Sequence, residues 1–357
     1  MGFDALRDLV SDSMAIDMGS ASTIIAVRGR GVVVDEPSVI AVNKVTNDVL
    51  AVGRDARQMQ GREARDVAVI APLVDGVVAD FERTQAMLDH FVRKARSGFS
   101  HFSRRAVMSV LSGVTQVEQR ALLSAAENAH IGRVYMVEEG LAAAIGAGIE
   151  IDDQRASAVV DIGGSTTNIA IVANGAIVQA HAERVGNSDI DAAIIDRLRR
   201  YRGLSIGATT AEHLKIELAS ATAPQDPERK LEVKGNDVQT RSPGAMEVTA
   251  AEVYSIVQPV MRKIMEAVRE TLAELPPEVS ADIYERGIVL TGGGALLEGL
   301  EQYLQAETKL TARVADEPRF ATVRGLSQLF DEPLQLRKVA RNEPFPVMDK
   351  EARAFES

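Results

Sequence analysis

The sequence predicts an α/β protein made of two duplicated domains. A motif of Asp-x-Gly, small residues, Thr and Ile-Ala occurs at residues 17–27 and again at residues 161–171. Between and after these motifs, segments with strand character alternate with segments whose apolar residues recur at helical spacing. Because only two widely separated copies of the motif occur, they indicate two related domains and not a solenoid of short repeats.

Each copy of the motif is predicted to form a β-hairpin with a tip of small residues. Apolar residues at 14–16 and 158–160 precede the two tips, and β-branched runs follow them. Further strands are predicted at residues 31–34, 38–42, 106–110, 133–137 and 287–290. Helices are predicted at residues 83–96, 116–129, 141–148, 188–201, 210–218 and 250–273.

Two stretches have less regular patterns. Residues 221–247 carry Pro and Gly among polar residues and are predicted to be exposed turns around a short strand at 231–233. The segment after Phe330 has three prolines among charged residues, so poor order is predicted there.

The composition narrows the classes of function. With 357 residues, 46% of them hydrophobic, the chain can bury sizeable cores. The formal net charge of −11 argues against general nucleic-acid binding, because no overall positive field attracts a phosphate backbone. The absence of cysteine excludes disulfides and thiolate sites, and the five scattered histidines do not predict a zinc site. No apolar stretch reaches about 18 residues and no secretory signal is evident, so a cytoplasmic location is expected.

The two small-residue tips have the composition of phosphate-binding turns. Glycine permits close approach of the backbone, and amide N–H groups and hydroxyls donate to anionic oxygens. A single turn of this kind is more often an ordinary hairpin turn, whereas two matching turns could bind a triphosphate from both sides. Asp17 and Asp161 are then predicted to hold Mg²⁺ through water molecules.

A third cluster of glycines spans residues 292–294, between a predicted strand and a helix predicted to begin near Leu296. Backbone at such a place can lie flat against a ligand ring or a phosphate. The cluster matches neither the Gly-x-Gly-x-x-Gly fingerprint nor a P-loop. Taken by itself, it favours a structural turn and a ligand-binding turn equally.

Together, the two Asp-x-Gly hairpins and the late Thr-Gly-Gly-Gly loop resemble the nucleotide motifs of the actin, Hsp70 and sugar-kinase superfamily. Longer strings resemble the MreB family of bacterial actin-like proteins, in the same order along the chain. These strings are residues 36–39, 49–53, 72–81, 137–139, 142–146 and 286–297. The resemblance runs from about residue 14 to about residue 330, and it fits either a main member of that family or a divergent paralogue.

The resemblance implies an actin-like fold: two duplicated α/β domains with ribonuclease H-like cores, each with a smaller subdomain, flanking a central nucleotide cleft. An amphipathic N-terminal segment is expected at 1–12 and a poorly ordered C-terminal tail at 331–357. Domain I is expected at 13–144, with a small subdomain at about 32–74, and the chain is expected to return to it at about 312–330. Domain II is expected at 145–311, with a small subdomain at about 183–243.

The resemblance also implies which residues contact ATP or ADP and Mg²⁺. The expected nucleotide contacts are Asp17, Gly19, Ser20, Ala21 and Ser22 on one side, Asp161, Gly163, Gly164, Ser165, Thr166 and Gly186 on the other, and Glu212, Lys215, Gly292, Gly293, Gly294 and Ala295 around ribose and adenine. In hydrolysis, Glu139 would orient the attacking water, with Thr166 and Asp161 assisting. Without the resemblance, Glu212 and Lys215 are more typical of a solvated helix face.

Three positions depart from the family's usual pattern. Asn168 stands where an acid is common after the two threonines, Gly140 replaces a proline after the two glutamates, and Ser165 replaces a glycine in the second turn. Proline at a helix start fixes the backbone, so Gly140 is expected to hold Glu139 less firmly.

The leading functional hypothesis is a slow ATPase that forms cytoskeletal filaments with copies of itself. Such filaments would organise cell-wall elongation and maintain cell shape. The alternatives are a sugar kinase of the same superfamily, for which no Asp is placed as an obvious base, and an Hsp70-like chaperone, for which too little chain follows Phe330. The resemblance further implies partnership with the elongation machinery, including MreC, MreD and RodZ.

Two apolar features predict attachment to the cytoplasmic face of the membrane. Phe3, Leu6, Leu9 and Val10 are spaced to line one face of a short amphipathic helix, although its polar face is acidic. Phe99 and Phe102 lie in a predicted loop flanked by basic residues, with no acid from residue 91 to 105. The alternative is that these side chains pack in a core or a subunit interface.

Overall fold

The structure is a computed structural model, and it describes residues 13–96 and 103–342. The chain divides into two compact units, of which the first is Met1–Asp152 with Phe320–Ser357 and the second is Asp153–Arg319. The sequence analysis predicted the boundary between domains I and II at 144/145 and the return of the chain to domain I at about 312. The structure puts both changes about eight residues later, because the helix at 139–146 packs on a helix at 321–328 within the first unit.

The first unit contains a five-stranded sheet in the order β10-β9-β1-β2-β3. Its strands are β1 Ser13–Met18, β2 Ser22–Val27, β3 Gly31–Pro37, β9 Ser103–Val110 and β10 Ile131–Glu138. Strand β1 is antiparallel to β2 and parallel to β9, and β9 is parallel to β10. The carboxyl ends of β1, β9 and β10 therefore lie at one edge of this sheet.

Smaller elements complete the first unit. They are a three-stranded sheet of β4 Ile40–Asn43, β5 Val49–Val52 and β6 Val67–Ile70, a two-stranded ribbon of β7 Leu73–Val74 and β8 Val77–Val78, and helices α1 Arg54–Met59, α2 Phe81–Ala95, α3 Gln116–Asn128 and α4 Glu139–Gly146. Helix α2 begins after Asp80, whose side chain accepts a hydrogen bond from Arg83 N. Its apolar stripe, which includes Met87, Leu88 and Phe91, is fully buried against the sheet core.

After the second unit, the chain returns to the first as helices α10 Ala321–Gln328 and α11 Pro333–Val339. Helices α4 and α10 approach so closely that a Cβ atom on Gly146 would collide with the Ala321 carbonyl, and one on Gly325 with the Ala142 carbonyl. The two glycines thus allow backbone to pack on backbone.

The segment after Phe330 differs from the predicted poor order. Helix α11 starts with Pro333 in its first turn, and Leu336 and Val339 are buried. Beyond it, Asn342 Oδ1 accepts a hydrogen bond from Met136 N at 2.8 Å, and Arg341 N donates to Met136 O at 2.8 Å. Residues 333–342 are therefore part of the first unit.

The second unit repeats the arrangement with a five-stranded sheet in the order β13-β12-β11-β17-β18 and a three-stranded sheet in the order β14-β15-β16. The strands are β11 Ser157–Ile162, β12 Thr167–Ala173, β13 Ala176–Glu183, β14 Leu204–Ser205, β15 Lys230–Asp237, β16 Pro243–Thr249, β17 Ile288–Thr291 and β18 Ala312–Val314. The helices are α5 Asn187–Tyr201, α6 Ala208–Leu218, α7 Ala250–Ala273, α8 Pro277–Arg286 and α9 Leu300–Thr308, with a 3₁₀ turn at Gly293–Leu296. A second 3₁₀ turn, Pro318–Phe320, spans the point at which the chain returns to the first unit.

One face of the second large sheet carries the core of this unit. Ala158, Val160 and Ile162 point to that face and pack in one cluster with buried residues of α7, such as Val257 and Ile264. Residues 159 and 161 point to the opposite face, because side chains alternate along a strand.

Two sequence predictions in the second unit need correction. Residues 230–249 form a two-stranded antiparallel hairpin instead of turns around one short strand. The helix predicted near Leu296 begins only at Leu300, because a 3₁₀ turn and Gly299 in the left-handed region, at φ 74°, come first.

Candidate functional site

The first Asp-x-Gly motif forms the predicted β-hairpin between β1 and β2. Gly19 N donates to Ser22 O at 3.0 Å and closes a tight turn of residues 19–22, called here the first turn. Asp17 lies just before it, paired with Ile24 across the hairpin. The motif therefore places an aspartate, a glycine and two serine hydroxyls within a few residues at the carboxyl end of β1.

Ser38 fixes the first turn from outside the motif. Its hydroxyl donates to Gly19 O at 2.6 Å, and its N–H donates to Ala21 O at 3.0 Å. Two carbonyl oxygens of the turn are thereby satisfied, which leaves the turn with donor groups to offer an anion. Sequence reasoning missed this role, although Ser38 lies in one of the strings that carried the family resemblance.

Ser20 is positioned by the ribbon β7-β8. Gly76 N donates to Ser20 Oγ at 2.8 Å, so the serine proton can be directed to a ligand. Gly76 adopts φ 73°, and a Cβ atom there would collide with the Leu111 side chain. This contact, too, was not predicted.

Asp17 is half-buried, and its Oδ1 accepts a hydrogen bond from Ser109 Oγ at 2.7 Å. Burial raises the pKa of the Asp17 carboxyl to about 6, although the hydrogen bond from Ser109 lowers it in part. A nearby cation would favour the ionised form of such a carboxyl. Asp17 is thus suited to the predicted Mg²⁺ role.

Glu139 is the first residue of α4 and directly follows β10. Since β10, β9 and β1 are parallel, Glu139 lies at the same sheet edge as Asp17. Its neighbour Glu138 accepts a hydrogen bond from Ser112 Oγ at 2.6 Å and pairs with Arg341. Glu138 is therefore engaged in contacts with the first unit's own residues.

The second motif forms a matching hairpin between β11 and β12. Gly163 N donates to Thr166 O at 2.8 Å and closes the second turn, residues 163–166, in the same manner as the first. Its carbonyls are satisfied by the start of α5, where Asn187 N donates to Gly163 O at 3.1 Å and Ser188 N to Gly164 O at 2.7 Å. Asn187 and Ser188 thus have the role that Ser38 has in the first turn.

Gly186 permits this close approach of α5 to the second turn. A Cβ atom at Gly186 would lie 2.6 Å from Gly164 O and 2.8 Å from Gly163 O. The Gly186 N–H donates to Asp189 Oδ2 at 2.8 Å and so begins the helix. The structure therefore brings the predicted residue Gly186 against the second turn.

The third glycine cluster lies against the second motif. Gly292 has φ 79°, and a Cβ atom there would collide with Asp161 Oδ1 and with the Ile162 carbonyl. A Cβ atom on Gly294 would collide with the Ile162 side chain. The cluster thus packs against Asp161 and Ile162 within the second unit, whereas a Cβ atom on Gly293 would meet only Asn187 Nδ2, at 3.8 Å.

Several polar atoms on this side are buried without a hydrogen-bond partner among the described residues. They are Ser165 Oγ, the side-chain amide atoms of Asn168, and Thr291 Oγ1. Buried polar groups are normally paired, so these atoms are suited to a polar ligand and its bound water. The residues present therefore fit a hydrated cation beside Asp161.

Helix α6 carries the predicted adenosine contacts Glu212 and Lys215, both partly buried. Lys215 Nζ donates to Asp191 Oδ2 at 2.9 Å and to Asn187 O at 3.2 Å. Since Asn187 also holds the second turn, Lys215 is linked to that turn through one residue. Lys215 is not on a solvated face, because its side chain is only 12% exposed.

The predicted membrane residues Phe3, Leu6, Leu9, Val10, Phe99 and Phe102 all lie outside the described residues. In the described ranges, none of the helices combines the length and the apolar character needed to cross a membrane. Nor do those ranges contain a group of three or more His, Asp or Glu that could hold a metal ion. A cation bound at Asp17 or Asp161 would thus depend on water and on ligand oxygens.

The duplicated sheets and turns define an actin-like protein, as comparison with solved structures confirms. MreB5 of Spiroplasma citri bound to ADP superposes with a TM-score of 0.86 at 31% sequence identity, over 92% of this chain and 98% of that chain. The same protein bound to AMPPNP gives the same values. MamK in a double helical filament matches with a TM-score of 0.76 at 20% identity, over 90% and 99% of the two chains, which is a likeness of fold alone.

Sequence comparison identifies the family. The sequence model of the MreB/Mbl proteins matches residues 11–338. The cell shape-determining protein MreB of Escherichia coli strain K12 is 41% identical over 324 residues, which cover 89% of this chain and 93% of that protein. The cell shape-determining protein Mbl of Bacillus subtilis strain 168 is 39% identical over 325 residues, 91% of this chain and 97% of that protein. The chain belongs to the MreB/Mbl family.

Proposed function

We propose that this chain binds ATP through its two turns, polymerises with copies of itself, and hydrolyses the nucleotide slowly. The observation that carries this proposal is the duplicated turn geometry. In each half, an N–H to O bond of 3.0 or 2.8 Å closes a small-residue turn directly after a strand that bears an aspartate. Two such donor turns suit the two sides of a polyphosphate.

The nucleotide assignment is supported by a relative. MreB5 of Spiroplasma citri has been solved with ADP and with AMPPNP. Here residues 19–22 and 163–166 would meet the phosphates, and Glu212, Lys215 and residues 292–295 the adenosine. Asp17 and Asp161 would hold Mg²⁺ through water. When bound, Mg²⁺ neutralises phosphate charge and polarises phosphoryl oxygens.

Hydrolysis is assigned to Glu139 and Thr166. Glu139 would orient the attacking water from the start of α4, and Thr166 would assist from the second turn, where it is buried. A positioned acid or base group contributes about 10² to 10⁴ in rate. The single glutamate in this role, followed by Gly140, agrees with a slow ATPase.

The filament would serve cell shape. Head-to-tail contacts between identical subunits give open polymers when the rotation does not close a ring. The named relatives are cell shape-determining proteins. We therefore assign to these filaments the organisation of cell-wall elongation on the inner face of the membrane, with partners such as MreC, MreD and RodZ.

Sedimentation with nucleotide tests this proposal. Wild type should pellet with ATP and Mg²⁺ and show filaments in negative stain, whereas Asp161→Asn should do neither. Asp152→Asn is the control, because the contacts of Asp152 with described residues are exposed hydrogen bonds from Lys338 and Gln335. A sugar kinase would instead release ADP in a sugar-dependent manner without sedimenting, and that outcome would overturn the proposal.

Membrane attachment needs its own experiment. Co-sedimentation with anionic liposomes should be reduced in Phe99→Ser with Phe102→Ser and in a chain lacking residues 2–12. Each buried phenylalanine is worth about 1.5–3 kcal/mol, and polymerisation multiplies weak binding by avidity. If both variants polymerise and bind liposomes as wild type does, neither segment is the anchor.

A further inference from the structure

A row of three buried polar residues crosses the large sheet of the second unit. In the strand register, Asp161 of β11 pairs with Asn168 of β12 on one side and with Thr291 of β17 on the other. Paired residues in adjacent strands point to the same face, so the three side chains are neighbours. All three are at least 97% buried, with exposures of 1% for Asn168, 3% for Asp161 and 0% for Thr291.

The two outer members of the row have polar atoms without a hydrogen-bond partner in the part of the chain that the structure describes. Within the described residues, neither the amide atoms of Asn168 nor Thr291 Oγ1 makes a hydrogen bond. A buried polar group without a partner costs about 1–3 kcal/mol. The row lies on the face opposite the apolar core, beside Gly292, where a Cβ atom would collide with Asp161 Oδ1.

The duplicated first unit shows that the fold does not require this arrangement. There, Asp17 pairs across its hairpin with Ile24, an apolar residue that is 2% exposed. On its other side, the hydroxyl of Ser109 is satisfied by donating to Asp17 itself. The second unit thus has an amide where its duplicate has an isoleucine, and an unbonded hydroxyl where its duplicate has a bonded one.

We infer that Asn168 and Thr291 are positioning residues for the water shell of the cation that accompanies the nucleotide. The inference rests on the proposed function and deepens it. An amide offers both donors and an acceptor, and a hydroxyl offers one donor, so together they can orient water molecules next to the Asp161 carboxylate. Mg²⁺ dehydrates reluctantly and is commonly held through its waters.

The test compares nucleotide affinity with and without Mg²⁺. Thr291→Val keeps the shape of the side chain, and Asn168→Val removes the amide. Each should weaken ATP binding in Mg²⁺ about fivefold to tenfold, the effect of one hydrogen bond, and leave binding in EDTA unchanged. Thr291→Ser, which restores the hydroxyl, should recover the Mg²⁺ effect. Calorimetry or a fluorescent ATP below the polymerisation threshold provides the affinities.

The melting temperature without ligand is a second readout. If Thr291 had a purely structural role, Thr291→Val would lower this temperature. The melting temperature of ligand-free Thr291→Val should equal or exceed that of wild type, because an unpaired buried hydroxyl is removed. The control is Thr167→Val, since the Thr167 hydroxyl does donate, to Val185 O at 2.8 Å. That variant should melt at a lower temperature.

The outcomes separate this inference from the proposed function. If wild type binds ATP more tightly with Mg²⁺ and both Val variants keep that full difference, the positioning role is wrong and nucleotide binding stands. A lower melting temperature for ligand-free Thr291→Val with unchanged Mg²⁺ dependence would also overturn the role. If wild type binds no ATP at all, the proposed function itself fails.

Discussion

Gly292 lies so close to Asp161 that any Cβ atom at position 292 would collide with Asp161 Oδ1. Gly292 also has φ 79°, a conformation that side-chain-bearing residues rarely adopt. We expect Gly292→Ala to lower the free energy of unfolding by about 2 kcal/mol or more, and to weaken Mg²⁺-ATP binding by displacing the carboxylate. Urea denaturation and calorimetry measure the two effects.

The neighbouring glycine provides the control for this prediction. A Cβ atom on Gly293 would meet only Asn187 Nδ2, at 3.8 Å. Gly293→Ala should therefore leave stability within about 0.5 kcal/mol of wild type. Equal destabilisation by the two substitutions would show that the contact with Asp161 is not the cause.

The assignment of Glu139 to hydrolysis predicts a difference between two adjacent glutamates. Glu139→Gln should bind ATP and polymerise but release phosphate at least tenfold more slowly, the low end for loss of a positioned acid or base group. Glu138→Gln should hydrolyse at the wild-type rate, because Glu138 is engaged by Ser112 and Arg341. Phosphate release at one ATP concentration compares them, and an unchanged rate in Glu139→Gln would remove it from the mechanism.

The surroundings of the Glu36 carboxyl predict that the stability of the first unit depends on pH. Burial raises the pKa of this carboxyl, but hydrogen bonds from Lys94 Nζ and Arg54 N and the charges of both residues outweigh it, so the pKa is lowered from 4.5. A lowered folded-state pKa means that the stabilisation is present above the unfolded value and is lost as the pH falls through the folded one. Glu36→Gln should cost about 1 kcal/mol at pH 7, and less as the pH falls below 4.5.

Two comparisons check the Glu36 prediction. Lys94 is half exposed, so added salt should reduce the cost of Glu36→Gln. The control Glu247→Gln removes an exposed ion pair with Lys230 and should change stability by less than about 0.5 kcal/mol. A cost for Glu36→Gln that is the same at pH 4 and pH 7 contradicts the electrostatic explanation.

Asn342 predicts that the chain after Phe330 contributes to folding. Its amide satisfies Met136 N at 2.8 Å and Val134 O at 3.0 Å on strand β10. We expect Asn342→Ala to lower the free energy of unfolding by about 1–3 kcal/mol, since a buried backbone group loses its partner. Lys338→Ala, which removes only an exposed ion pair with Asp152, should cost less than about 1 kcal/mol. Equal effects in thermal denaturation would argue against the strand contact.

Local patterns predicted much of the fold. Helix α7 begins and ends at the predicted residues, 250 and 273, because its apolar stripe continues without interruption. Both Asp-x-Gly hairpins form as expected. Helix α11 was missed because the prolines among charged residues after Phe330 predicted poor order, whereas one of them, Pro333, lies in a first turn, where proline is favoured.

The two turns of the candidate site were predicted from the sequence, but the residues that hold the turns and Asp17 in place were not. Ser38 contacts the first turn from a strand end, and Ser109 reaches Asp17 from a neighbouring strand. Such contacts depend on the register of strands distant in sequence, which periodicity does not reveal. The pairing of Thr291 with Asp161 likewise follows only from the sheet order, whereas Asn168 pairs with Asp161 within the predicted hairpin.

The contact between Gly146 and Gly325 sets an order of events during translation. These glycines bring together helices α4 and α10, which are separated along the chain by the whole second unit, residues 153–319. A ribosome releases the N-terminal part first, and domains fold as units while they emerge. The second unit can therefore complete its core before α10 has been synthesised. The first unit still lacks α10 at that stage, so it begins to be synthesised first and completes its fold last.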